Sequence, residues 1–111
     1  MYYRKSILLI GLISLFLFLL IGCDSHAEKF TGTIVNIDAA NKQILVISHL
    51  EIEDLHVDYK DLLKSGKYRE VIWVKNVNPN KYKVGEEIEV TYHARDDSYP
   101  AQISSAKITK L

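Results

Sequence analysis

The chain has a single cysteine, Cys23, so no intrachain disulfide can staple it. Basic residues are in no excess either. Fourteen lysines and arginines face fourteen aspartates and glutamates, which gives no support for nucleic-acid binding, since that usually needs a basic stripe. The motifs of several chemistries are missing. There is no G-x-S-x-G elbow and no phosphate-cradling glycine loop. A calcium loop needs regularly alternating acids with a glycine at the turn, and none occurs. His49 and His56, with Asp58 two residues beyond, come nearest to a metal-ligand group. Their spacing matches no zinc pattern, so they read as exposed histidines in an acidic loop. Glu51, Glu53 and Asp54 could supply carboxylates for acid–base work, but three acids in four polar residues are more simply a solvated charge cluster, with no apolar pocket to raise a pKa. The expectation is a non-catalytic protein with no cofactor and no metal.

What is present begins at the N-terminus. Arg4 and Lys5 form a short cationic start, and Ile7 to Ile21 is an uncharged apolar stretch. From Ser6 to Cys23 there are 18 uncharged residues, at the lower limit of about 18–20 for a membrane span. No cationic stop-transfer cluster follows, since Asp24 comes next. Leu20-Ile21-Gly22-Cys23 resembles the lipobox of bacterial lipoprotein precursors. That resemblance implies that residues 1–22 are a signal peptide removed before Cys23, and that the Cys23 sulfur carries a diacylglyceryl group. Two acyl chains, at about 0.8 kcal/mol per buried methylene, hold a protein on a membrane where one chain binds only reversibly. Cys23 is then an attachment atom, and the protein is expected at the cell membrane, anchored on the extracytoplasmic face.

Removing residues 1–22 from the 111 leaves 89, enough for one small domain. Arg4 and Lys5 leave too, so 12 basic residues remain against 14 acidic, a formal charge of −2. Residues 23–28 read as the lipidated cysteine and a short polar tether, and 29–111 as a single domain held by burial alone.

That domain reads mostly as strands. Phe30 to Ile37 and Gln43 to Ser48 are rich in β-branched and aromatic residues, with the turn-like Asp38-Ala39-Ala40-Asn41-Lys42 between them, a hairpin pattern. Gly32 inside the first strand suggests a bend or bulge. Val71 to Val77 is the third run, ended by Asn78-Pro79-Asn80. Tyr82 to Glu86 is a reverse turn feeding Glu87 to His93, where Ile88, Val90 and Tyr92 alternate with Glu87, Glu89, Thr91 and His93. The last run is Ser104 to Leu111. Leu55, Tyr59, Leu62 and Leu63 make a helical stripe, with Asp58 as cap and Gly66 as terminator, so Tyr59 to Ser65 is a short helix. His49 to Val57 is either loop or a ragged strand extension. Five strands and one helix give an all-β fold, a small OB-like antiparallel barrel, with a small α+β sheet carrying one helix as the alternative.

Gly32-Thr33-Ile34-Val35, Ile44-Leu45-Val46, Trp73, Tyr82-Lys83-Val84-Gly85 and Ser98-Tyr99-Pro100-Ala101-Gln102 occur in this order. The combination resembles the YobA-like group of small Bacillus lipoproteins, whose domain has no assigned function. The resemblance covers most of residues 30–110 and implies a lipid-anchored β-domain; it carries no catalytic residue across.

Function is read from position. OB-like domains commonly bind on the face of strands two and three and in the loops joining strands one to two and four to five. The second of those loops is Ala94 to Gln102, where Arg95 and Gln102 are candidate polar contacts and Tyr99 a candidate stacking contact. Trp73 is a further stacking candidate, against the plainer expectation of core packing. Tyr99-Pro100 has its own plainer alternative, a plug closing the barrel end. The expected partner is the membrane, through Cys23, with an envelope protein, a peptide or a glycan as ligand. An envelope enzyme with an unfamiliar site is the other class. A saturable ligand that protects the fold and leaves unchanged separates the two.

Overall fold

The structure is a computed structural model and describes residues 27–111. The expected signal segment 1–22, the expected lipid-attachment residue Cys23 and the expected tether as far as residue 26 lie outside the described residues. Strand β1 (Glu28–Asp38) and β2 (Gln43–Ile47) form the expected hairpin. Helix α1 (Tyr59–Ser65) follows, then β3 (Val71–Lys75), β4 (Glu87–Tyr92), β5 (Ala101–Ile103) and β6 (Ala106–Lys110). They make one six-stranded sheet in the order β5-β3-β2-β1-β4-β6. Its two outermost strands, β5 and β6, are consecutive in the chain with only Ser104 and Ser105 between them. The sheet is therefore curled into a half-barrel, a β-rich OB-like domain with one helix.

Burial explains why Ile44 to Ile47 in β2 and Val71 to Val74 in β3 are apolar at successive positions. In β2, Ile44 and Val46 face the interior of the curl while Leu45 and Ile47 face outward. In β3, Ile72 and Val74 point in, and Val71 points out. A strand covered on both faces reads as a continuous hydrophobic run. The outer cover is α1, whose Leu62 is 4 % exposed and whose Tyr59 and Leu63 pack beside it. Asp58 caps the helix by accepting from Lys60 N at 2.9 Å, and Gly66 ends it in the left-handed region at φ 65°. Strand β4 keeps one dry face, with Ile88 and Val90 fully buried and Glu87, Glu89 and Thr91 outward.

Four details differ from expectation. The bulge falls between Ile34 and Asn36 rather than at Gly32. Gly32 answers a different need: a Cβ there would lie 2.7 Å from Val46 Cγ1 and 2.8 Å from Ile47 O, because β1 is crowded where it passes from β4 to β2. Second, β3 and β5 pair in parallel, so the sheet is mixed rather than wholly antiparallel. Third, the expected last run, Ser104 to Leu111, supplies β6 alone, and a sixth strand, β5, forms just before it at Ala101–Ile103, where a loop was expected. Ala101–Ile103 joins β3 and Ala106–Lys110 joins β4, since one straight strand cannot follow both edges of a curled sheet. Fourth, the open question over residues 50–57 resolves as loop with a 3₁₀ turn at Ile52–Asp54.

Candidate functional site

The ladder between β4 and β6 runs to Tyr92↔Ala106 and goes no further. Beyond it the two chains part, and backbone bonding resumes only where Asp96 and Gln102 exchange a pair, N to O at 2.9 and 3.0 Å. The parting leaves an open cleft of about 380 Å³ lined by His93, Ala94, Arg95, Asp96, Gln102, Ser104 and Ser105. Arg95 and Gln102 both line it. Gln102 belongs to β5 rather than to the loop, because Ala101 and Ile103 on either side are buried under β3.

Arg95 is held. Its Nη1 donates to Glu70 Oε2 at 2.9 Å and its Nε to Asp97 Oδ1 at 2.6 Å. Glu70 first, then Asp97, push the guanidinium still further above its usual range, so it is a fixed cation. Two carboxylates against one guanidinium leave this corner with no positive excess. The loop behind it is braced by Ser98, whose hydroxyl donates to Pro100 O at 2.9 Å and whose N–H reaches Asp96 Oδ1 at 3.3 Å.

Tyr99 and Trp73 do not line the cleft. The Tyr99 ring is 51 % exposed, so it does not plug the barrel, and its hydroxyl donates to Tyr68 O at 2.9 Å. Trp73 is the register partner of Gln102 across the parallel pair. Its indole lies under α1 on the outer face, edge-on to Tyr59 with centroids 6.0 Å apart. His93, Ala94, Asp96, Ser104 and Ser105 were not singled out from sequence. The one signal for them is the polar pair Ser104-Ser105 interrupting an otherwise β-like run.

The acidic loop has a structural partner. Tyr68, 7 % exposed, donates its hydroxyl to Asp54 Oδ2 at 2.5 Å and accepts from Glu51 N at 3.0 Å. Lys67 Nζ bridges Glu51 at 2.7 Å and Asp54 at 2.9 Å. The Tyr68 hydrogen bond, then Lys67, hold the Asp54 carboxyl below its ordinary range. Burial, then Asp54, push the Tyr68 hydroxyl up. Glu51 and Asp54 therefore clamp the loop to the end of α1. Asp58 is occupied as a helix cap, and His49 and His56 are exposed. Among the described residues no three of His, Cys, Asp or Glu group so as to hold a metal.

Fold and site together define a small β half-barrel with a polar cleft where its strands part. Residues 31–109 match the family model described as a protein of unknown function, DUF3221, and the chain belongs to that family. Its fold is similar to the crystal structure of YobA from Bacillus subtilis at 1.55 Å resolution. The TM-score is 0.62 and the identity 23 %, over 79 % of this chain and 98 % of that one. The solution structure of Bacillus subtilis YobA 21–120 is similar at a TM-score of 0.59 and 24 % identity, over 79 % of this chain and 84 % of that one. No curated protein matches.

Proposed function

We propose that the chain is a membrane-anchored bacterial lipoprotein, acylated on Cys23, whose extracytoplasmic domain is a non-catalytic binding module using the cleft between β4 and β5. The observation that carries the binding half is that Arg95 and Gln102 line that cleft together with exposed Ser104 and Ser105. A fixed cation ringed by its own carboxylates and neutral hydrogen-bonding groups suits recognition of a polar group without chemistry on it. The ligand class is an envelope protein, a peptide or a glycan. The anchoring half is carried by the lipobox-like Leu20-Ile21-Gly22-Cys23.

Two experiments test the reading. Cells fed a clickable fatty acid are expected to label the wild type and not Cys23→Ala; equal labelling removes the anchor. Crosslinking from intact cells is expected to capture a partner with wild type and with Lys60→Ala, a change on the exposed face of α1. Capture should be lost with Gln102→Ala. A partner retained equally by Gln102→Ala and Arg95→Ala takes the cleft out of the binding site.

A further inference from the structure

We infer that the rim at the cleft end of the domain lies against the bilayer, with the lipid headgroup layer as the occupant of that rim and the cleft itself left to its ligand. The inference rests on acylation of Cys23 and deepens that reading by giving the domain an orientation.

The argument is one of reach. Glu28 begins β1 and pairs with Tyr92, which pairs in turn with Ala106. The Tyr92 hydroxyl donates to Glu28 Oε2 at 3.0 Å. Glu28, Tyr92 and Ala106 form the rim from which His93 and Ser105 diverge to open the cleft, so the chain enters the domain at the mouth of that cleft. Four residues lie between Cys23 and Glu28, and the five Cα–Cα steps span at most about 18 Å in any conformation. An acylated Cys23 is fixed at the headgroup level, because its chains are buried beneath it. Strand β1 then runs eleven residues away from that point to the hairpin at Ala39–Lys42, a distance of roughly 30 Å at strand rise. For the hairpin to face the bilayer with β1 upright, Glu28 would have to stand that far above the surface, well beyond the reach of the segment from Cys23. The domain can stand on its cleft end or lean, and it cannot invert.

Charge neither drives nor opposes this. Lys29 faces Glu89 at 3.8 Å, and Arg95 is taken by Glu70 and Asp97. The rim meets the surface with exposed His93, Ala94, Ser104 and Ser105, groups suited to hydrogen bonding with headgroups rather than to insertion among acyl chains. The approach is imposed by the anchor, so it is insensitive to salt.

The test uses the acylated full protein in vesicles of phosphatidylcholine containing a lipid with a headgroup-attached quencher. With the Cys23 sulfur consumed by its acyl group, a cysteine placed at Ser105 or at Ala40 is the one free thiol for a fluorescent dye. Both positions are exposed, at opposite ends of the domain. The Ser105→Cys dye is expected to be quenched several-fold more than the Ala40→Cys dye, with the ratio unchanged at high salt. Equal quenching, or stronger quenching at Ala40, overturns the orientation. Flotation of the same samples separates the two readings: protein that fails to float removes the anchor and the inference together, whereas floating protein with the reversed ratio removes the orientation alone. A bias seen in native membranes and absent from pure lipid would assign the rim to a membrane protein and overturn the headgroup assignment.

Discussion

Asp54 shows how one carboxylate can fix a loop whose Ile52 and Val57 stay exposed. Tyr68 and Lys67 hold its pKa down in the folded state, so folding favours the ionised form. The stability this supplies is present above the unfolded carboxylate value, near about 4, and is lost as pH falls through the lower folded value. The wild type and Asp54→Asn are expected to differ in denaturant midpoint at neutral pH and to converge as pH falls below about 4. Asp38 is also lowered, chiefly by Asn41, but contributes equally to both proteins and cancels. A gap that persists undiminished at low pH would falsify the role of the charge. At Gly32 the pressure is steric. The Cβ of Gly32→Ala would meet Ile47 O, a backbone atom that cannot swing aside, so a loss on the order of 1–3 kcal/mol is expected, as for overpacking. Tyr99 is the contrasting case. With half its ring in water and one hydroxyl bond to Tyr68 O, Tyr99→Phe is expected to cost about 0.5–1.5 kcal/mol, the worth of a single hydrogen bond. A cost of core-residue size in urea denaturation would mean the ring carries more of the fold than its exposure suggests.

At the scale of elements, α1 and the strands it covers were legible because their signals are local. Leu62 recurs on the stripe begun at Leu55, Asp58 offers a side-chain oxygen to the first turn, and Gly66 supplies the left-handed terminus; the helix spans Tyr59–Ser65 as those three residues require. The alternation of Ile88, Val90 and Tyr92 placed β4 in the same way. Less legible was the destination of each element. Ile44-Leu45-Val46-Ile47 is apolar throughout, and such a run does not say which side is the barrel interior and which lies under a helix. Trp73 illustrates the consequence: an aromatic on β3 suits either a ligand surface or a helix dock, and only packing against Tyr59 distinguishes them. Because Leu62 is the buried centre of the α1 cover over β2 and β3, Leu62→Ala is expected to cost about 2–5 kcal/mol. At about 4–8 °C per kcal/mol for a domain of this size, that is a large fall in Tm. A melt within a few degrees of wild type would show that the outer cluster is dispensable.

The topology of the whole molecule was the part hidden from local pattern, and the reason lies at Ser104 and Ser105. Parallel pairing of β5 with β3 and antiparallel pairing of β6 with β4 are long-range events, and three residues at the end of a polar loop carry no mark that they will pair with β3. The cleft is a product of that division, which is why Arg95 and Gln102 could be nominated from loop position while His93, Ser104 and Ser105 could not. The corner between β5 and β6 bears on stability as well as on the site. Ser104 and Ser105 are exposed, tied to β3 only through Asn76 Nδ2 donating to Ser104 O at 2.6 Å. One glycine inserted between them lengthens a link that already bends, and loop-closure entropy rises by well under about 0.6 kcal/mol. The same glycine inserted between Glu89 and Val90 reverses the two faces of β4 beyond that point, turning Val90 and Tyr92 outward and Thr91 into the core. The corner insertion is expected to melt cooperatively within a few degrees of wild type. The β4 insertion is expected to leave no cooperative transition by circular dichroism. Equal damage from both would mean that β5 and β6 act as one rigid strand, and that the cleft they open is a tightly built part of the core rather than a gap the curl leaves behind.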